Sequence, residues 1–151
     1  MAEKVALICG AAGFIGNHVA TVFRQQGWRV TGCGRGIGQA IAVKLGREGA
    51  RIVVNDLDSE PARETVELLR KSGTEAIACV GSVTSPDFAE RYIKTAMDAF
   101  KGIDIIVNNA GYTWDSTIQK MSDEQFQAML DVHLVAPFRI LRAAAEPIRI
   151  M

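Results

Sequence analysis

Glycine clusters that could cradle a phosphate occur twice near the start of the chain. The first, GxxGxxG, comprises Gly10, Gly13 and Gly16, between an apolar run and an amphipathic stretch. The second, TGxxxGxG, has the same setting. Such glycines allow a tight turn and a close approach of the backbone to a diphosphate, while the following helix offers free N–H groups. The sequence therefore predicts a dinucleotide site, and the contacting residues of the second cluster are Thr31, Gly32, Arg35, Gly36, Ile37 and Gly38.

An acidic residue at the end of a β-branched run bears on which dinucleotide binds. Asp56 lies eighteen residues beyond Gly38, where a carboxylate can accept both ribose hydroxyls of adenosine and repel a 2′-phosphate. Arg35 argues the other way, because a guanidinium there could pair with a 2′-phosphate. We give Asp56 more weight, so NAD is the predicted cofactor and NADP the alternative. Asp56 and Asp58 could instead be turn and N-cap residues, a role that suits Asp58.

The elements that must position these residues follow from alternating apolar runs and amphipathic stretches, which are typical of βαβ units on a parallel sheet. We predict an α/β fold, a Rossmann-like doubly wound parallel sheet in three layers, as one domain over residues 1–151. The predicted strands are Val5–Cys9, Trp28–Thr31, Arg51–Asn55, Ala76–Val80 and Ile103–Asn108. The predicted helices are Phe14–Gln26, Gly38–Glu48, Ser59–Lys71 with Ser59 as its cap, one opened by Ser85 and Pro86, and one with a Ser122/Gln125 capping box.

Composition excludes several classes of protein. Seventeen basic and seventeen acidic residues are scattered along the chain, so we expect neither nucleic acid nor a membrane surface as partner. Apolar runs are too short for a signal peptide or a membrane span, which predicts a cytoplasmic protein. Cys9, Cys33 and Cys79 lack CxxC spacing, so neither a disulfide framework nor a metal site is expected. A P-loop NTPase is excluded because no lysine followed by Ser or Thr succeeds the glycines.

From about residue 28 to the end, the sequence resembles the short-chain dehydrogenase/reductase family. The resemblance rests on Thr31–Gly38, the strand end VVND at Asp56, the VNNAG at residues 107–111 and the DVHL at residues 131–134. In that family the NNAG segment forms the floor of the cofactor site, which implies that Asn108, Ala110 and Gly111 lie along the cofactor. The resemblance implies an NAD(P)-dependent oxidoreductase acting on a carbonyl/alcohol pair, and VNDL followed by VHL is similar to the branch that acts on 3-oxoacyl or 3-hydroxyacyl thioesters.

Two substitutions depart from the family pattern. Ser82, followed by Val83, stands where the family has an aspartate that bonds the adenine amino group, and a serine hydroxyl can still accept that bond. His133 stands at the family's helix-kinking asparagine, whose backbone carbonyl holds a water in the proton relay. Pro137 cannot donate to that carbonyl, so position 133 can keep this role. His133 is therefore the candidate catalytic residue, and a histidine on a polar helix face is the equal alternative.

The start of the chain is duplicated. Residues 1–27 resemble the opening βα unit of the family's epimerase-like branch, so we interpret them as an extra βα unit and residues 28–151 as the core. Because Asp56 and Asn108–Gly111 lie at the family's usual distances from Thr31–Gly38, that cluster is the predicted cofactor loop. Val5–Cys9 would then fill an additional position in the sheet. Alternatively the Gly10 cluster binds the cofactor and Arg35 ends the second strand, which would favour NADP.

The family's acid–base pair, YxxxK, is missing from this sequence. Its two tyrosines, Tyr92 and Tyr112, are followed four residues later by Ala96 and Ser116. The resemblance implies a fold truncated before the catalytic Tyr/Lys region, and losing the acid–base group forfeits about two to four orders of magnitude in rate. We expect cofactor binding without efficient turnover.

Two functional classes remain. One is an oxidoreductase, either a fragment of a longer enzyme or a chain with His133 as a substitute acid–base group. The other is a non-catalytic dinucleotide-binding module or subunit. Family members pair through the region of the apolar helix predicted at Phe138–Met151, so we expect a homo-oligomer in either class.

Overall fold

The computed structural model describes residues 5–9 and 36–150. The strands within these ranges are β1 (Val5–Cys9), β2 (Arg51–Val54), β3 (Ala76–Ala78) and β4 (Ile105–Asn108). The helices are α1 (Gly36–Arg47), α2 (Ser59–Lys71), α3 (Phe88–Phe100), α4 (Asp123–Leu130) and α5 (Ala136–Ile150). A π-helical turn at Asp131–Val135 joins α4 directly to α5. No helix in the described ranges is both long enough and apolar enough to cross a membrane.

The four described strands form one parallel sheet in the order β3-β2-β1-β4. The chain proceeds from β1 outward to β2 and β3, and then returns to the other side of β1 for β4. This reversal creates a switch point between β1 and β4, at the carboxyl ends of the strands, which is where open α/β sheets bind their ligands. The register aligns Cys9 with Asn108 and Ile8 with Val54, so the strand ends lie along one edge.

Alternating side chains of β2 face two separate cores, and this alternation makes the fold three-layered. Ile52 and Val54 pack with apolar residues of α1 and α2, such as Ala42 and Leu69. Val53 packs with the apolar residues of α3 and α5 on the opposite face. The predicted α/β fold with helices on both sides of a parallel sheet is confirmed.

The buried apolar face of helix α3 follows from the spacing of its residues. On α3 the buried residues are spaced to form one face, and they are Phe88, Ala89, Tyr92, Ile93, Ala96 and Phe100. The Tyr92 hydroxyl reaches across the core and donates to the carbonyl of Val53 at 3.1 Å. Helix α3 therefore attaches to the central part of the sheet by both packing and a buried hydrogen bond.

Most described elements agree with the sequence prediction, with differences at their ends. Strand β3 stops at Ala78 rather than Val80, and α3 starts at Phe88 because Ser85 and the residues after it form a turn, closed by the Phe88 amide on the Ser85 carbonyl at 3.1 Å. Asp58, not Ser59, is the N-cap of α2, and its side chain makes no capping bond. The predicted Ser122/Gln125 capping box is confirmed.

The position of Val5–Cys9 corrects the prediction. We expected this strand in an additional position and Trp28–Thr31 at the switch point, but β1 lies between β2 and β4. It pairs with each neighbour over four residues. An uninterrupted apolar run suits a central parallel strand, which is buried on both faces. The predicted strand Trp28–Thr31 and helix Phe14–Gln26 lie outside the described residues.

Candidate functional site

The carboxyl edge of the sheet brings together most of the described residues that the sequence singled out. Asp56 follows β2, Ser82 follows β3, and Asn108 ends β4. Gly36, Ile37 and Gly38 begin α1. Gly111 and Ala110 follow β4, and Ala110 packs against the core that includes the buried Val83. The other six cofactor candidates lie outside the described residues, and they are Gly10, Gly13, Gly16, Thr31, Gly32 and Arg35.

The start of α1 has the features of an anion-binding helix end. Gly36 has a φ of 95°, which a side chain would disfavour, and Gly38 is buried within the first turn. No acidic residue lies in this turn. The unpaired N–H groups of a helix start carry partial positive charge and favour a phosphate.

Asp56 is buried in a turn, with only 5% of its surface exposed. Its Oδ1 accepts a hydrogen bond from the Asp58 amide at 3.1 Å, and its carbonyl accepts one from the Gly81 amide at 2.9 Å. The alternative role of Asp56 as a turn residue is thus present, and it coexists with the position at the end of β2 that a ribose-binding carboxylate needs.

Ser82 is held within its own turn. Its hydroxyl lies 2.8 Å from the Thr84 hydroxyl and accepts from the Thr84 amide at 3.3 Å. Arg139 of α5 donates to the Thr84 carbonyl at 3.3 Å, and this bond connects the turn to helix α5. A hydroxyl has one donor and two acceptor positions, so Ser82 keeps one of them for a further partner.

The side chain of His133 contacts the segment that follows β4. Its Nε2 lies 2.9 Å from the carbonyl of Tyr112, and because a carbonyl only accepts, Nε2–H is the donor. A Cβ placed on Gly111 would lie 2.6 Å from Cε1 of the His133 ring. Glycine at 111 therefore makes the close approach of the imidazole possible. In the neutral ring Nδ1 remains an acceptor.

The π-helical turn positions this histidine. The Ala136 amide donates to the carbonyl of Asp131, five residues back, instead of the usual four. Pro137 has no N–H for the carbonyl of His133, so this helical hydrogen bond is missing at the residue that the family resemblance indicated. Such turns occur often at functional sites.

The site consists of two hydrogen-bonded groups on either side of β1. Asp56 and the turn of Ser82 are directly linked through Gly81, while His133 contacts the segment at Gly111 after β4. Strand β1 lies between β2 and β4 and separates the two groups. Among the described residues, no three His, Cys, Asp or Glu side chains come together to hold a metal ion.

Two side chains that were not among the predicted site residues, Asn55 and Arg91, bond the backbone of this edge. Asn55 is 1% exposed and donates to the carbonyls of Cys79 and Gly81, both at 2.9 Å. Arg91 donates to the carbonyl of Val80 at 3.0 Å. A polar residue at the end of a buried strand was the only available signal for Asn55, and no local pattern pointed to Arg91.

Comparison with known proteins gives a consistent result. The family model described as short chain dehydrogenase matches residues 29–149. A 3-oxoacyl-[acyl-carrier-protein] reductase of Synechocystis is 40% identical over 128 residues, covering 83% of this chain and 51% of the relative. The chain spans about half or less of the length of the curated relatives that it matches.

Two solved structures have the same fold. An L-sorbose reductase of Gluconobacter frateurii, complexed with NADPH and L-sorbose, has a TM-score of 0.80 and 26% identity, covering 99% of this chain and 49% of the other. A metagenomic short-chain oxidoreductase in complex with NADP has a TM-score of 0.75 and 30% identity, covering 95% and 56%.

The contact between Gly111 and His133 can be tested by a double-mutant cycle on the free energy of unfolding in urea. We expect Gly111→Ala to destabilise the protein by about 1 kcal/mol, because its methyl group displaces the imidazole from the Tyr112 carbonyl. In a His133→Ala background that methyl has room, so the same change should cost less than half as much. Equal costs in both backgrounds would show that the ring does not constrain position 111.

Proposed function

The chain belongs to the short-chain dehydrogenase family, and from that membership we propose that it binds a nicotinamide dinucleotide along the carboxyl edge of its sheet, with NAD preferred to NADP. The residues present fit such a group, since a buried carboxylate ends β2 and glycines open the helix that follows β1 in the described fold. Bound there, the dinucleotide would supply hydride chemistry.

The position of Asp56 is the observation that carries the preference for NAD. A carboxylate at the end of the second strand accepts ribose hydroxyls and repels the additional phosphate of NADP. NADP is the second candidate, because two structural neighbours were solved with NADPH or NADP. Arg35, the residue that would pair with that phosphate, lies outside the described residues.

The remaining predicted contacts divide along the edge of the sheet. We propose that Ser82 and Val83 contact the adenine, that Asn108, Ala110 and Gly111 line the path of the cofactor, and that the start of α1 binds the diphosphate. Two observations bear on which glycine cluster contacts the diphosphate, and they favour different clusters. Gly36–Gly38 belong to the predicted cluster, whereas Gly10 directly follows the central strand β1, which favours the alternative loop.

The reaction proposed for the whole protein is interconversion of a carbonyl and an alcohol, with a 3-oxoacyl thioester as substrate. Its support is the 40% identity with a 3-oxoacyl-[acyl-carrier-protein] reductase. In this chain we propose His133 as the acid–base candidate, since it lies beside the segment after β4. A non-catalytic dinucleotide-binding module is the alternative.

Association with a second copy is also proposed, through α4 and α5. These helices and the turn between them carry large apolar side chains that are more than half exposed, namely Phe126, Leu134, Phe138 and Leu141. An apolar surface of this kind on a water-exposed helix pair favours burial against a partner.

Cofactor binding can be tested by titrating NAD and NADP separately while following tryptophan fluorescence. We expect NAD to bind more tightly, and Asp56→Asn to reduce the ratio of the two affinities by about tenfold, because the amide neither repels the phosphate nor accepts two hydroxyls as a carboxylate does. Asp115→Asn, an acidic residue in the loop after β4, is the matched control. Absence of binding by either nucleotide would refute the proposal, and tighter binding of NADP would refute the preference.

Measuring the rate of turnover distinguishes an oxidoreductase from a non-catalytic dinucleotide-binding module. We expect NADH oxidation with a 3-oxoacyl thioester to be about two to four orders of magnitude slower than in a relative that carries YxxxK. A rate that disappears in His133→Ala would assign the acid–base role to His133. Cofactor binding with no rate in either protein would instead support the non-catalytic module.

Self-association can be measured by sedimentation velocity. We expect the protein to sediment as a dimer or larger, and Phe138→Glu to shift it to the monomer, because a charge would be buried in the interface. Leu68→Glu on α2, also exposed, is the control and should leave the sedimentation unchanged. A monomeric parent protein would contradict the proposal.

A further inference from the structure

Asn55 is a buried polar side chain whose two short hydrogen bonds lead to one segment. Its Nδ2 donates to the carbonyls of Cys79 and Gly81 at 2.9 Å each, and lies 3.3 Å from the carbonyl of Asp56. An amide nitrogen has two hydrogens, so the two short bonds use both of them. The side chain thus continues the pairing between β2 and β3 beyond the last paired residues.

The segment that Asn55 holds, Cys79–Thr84, forms no regular secondary structure. At its centre Gly81 has a φ of 144°, and a Cβ there would lie 2.7 Å from Nη2 of Arg91. Arg91 approaches from α3 and donates to the carbonyl of Val80 at 3.0 Å. The segment is therefore held by Asn55 on one side and by Arg91 on the other.

These bonds connect two parts of the proposed adenosine site. The Gly81 amide donates to the carbonyl of Asp56 at 2.9 Å, and Ser82 follows directly. With an apolar residue at position 55, the carbonyls of Cys79 and Gly81 would lose their donor in a buried or partly buried place. The segment would then be held against Asp56 by fewer hydrogen bonds.

We propose that Asn55 is a positioning residue for dinucleotide binding, which fixes the turn of Gly81–Val83 against Asp56 before the adenosine arrives. This inference rests on the proposed function. Preorganisation of this kind increases affinity because binding no longer has to order the segment. Asn55 itself makes no contact with the nucleotide in this proposal.

The first test is Asn55→Asp, which keeps the shape and replaces Nδ2, with its two N–H donors, by one carboxylate oxygen that faces both carbonyls. We expect the dissociation constant for NAD to rise by about tenfold or more, measured by calorimetric titration well below the unfolding temperature of each protein. The matched control is Thr65→Val. Thr65 of α2 is also 1% exposed, and its hydroxyl accepts a hydrogen bond from Gln39 of α1 at 2.9 Å. Removing this hydroxyl should lower stability without changing NAD affinity.

A double-mutant cycle with Ser82→Ala distinguishes positioning from general destabilisation. If Asn55 acts by placing Ser82, the loss of the hydroxyl should weaken NAD binding in the parent protein and have little further effect in Asn55→Asp. Additive effects would overturn the inference. Should Asn55→Asp fail to fold, Arg91→Ala releases the same segment from its exposed side, and the same non-additivity with Ser82→Ala is expected.

The outcomes separate the two proposals. If the parent protein binds neither NAD nor NADP, the proposed function is wrong. If the parent binds NAD and both Asn55→Asp and Arg91→Ala bind it equally tightly, the proposed function stands and the positioning role of Asn55 is wrong.

Discussion

Parallel pairing of β1 with both β2 and β4 is the constraint on which the rest of the structure depends. Parallel strands have their carboxyl ends at one edge, and the strand order reverses at β1, which is where open α/β sheets bind their ligands. Asp56, Ser82 and Gly111 are far apart in sequence, yet each lies just beyond a strand end. Their common location is a consequence of the register and needs no direct bond between the two sides of β1.

The strand ends create a second problem, because backbone carbonyls beyond the last paired residue still require donors. Side chains from other elements supply them. Asn55 bonds the segment after β3, Arg91 bonds the same segment from α3, and His133 bonds Tyr112 after β4. These bonds restrain irregular segments at the proposed site, and such restraint is what a binding site requires of its loops.

Local sequence patterns predicted the described strands and helices well, since hydrophobic periodicity and capping are short-range effects. The Ser122/Gln125 box was visible in this way, whereas the helix distortion at His133 was indicated only by the resemblance to the family. Element ends were less accurate. Strand β3 is shorter than its apolar run because the residues beyond Ala78 bond to a side chain and to a helix, and no pattern within the run contains that information.

The sequence alone determined the fold class, the family, and the residue types that a dinucleotide site needs, because glycine spacing, apolar alternation and an acid at a strand end are properties of consecutive residues. Only the tertiary structure decided the central position of β1 and the hydrogen bonds of Asn55 and Arg91 to the segment after β3. Both depend on contacts between residues distant in the chain. The sequence offered two apolar runs, Val5–Cys9 and Trp28–Thr31, for the central strand. Only the pairing within the sheet shows that Val5–Cys9 has a neighbouring strand on both sides.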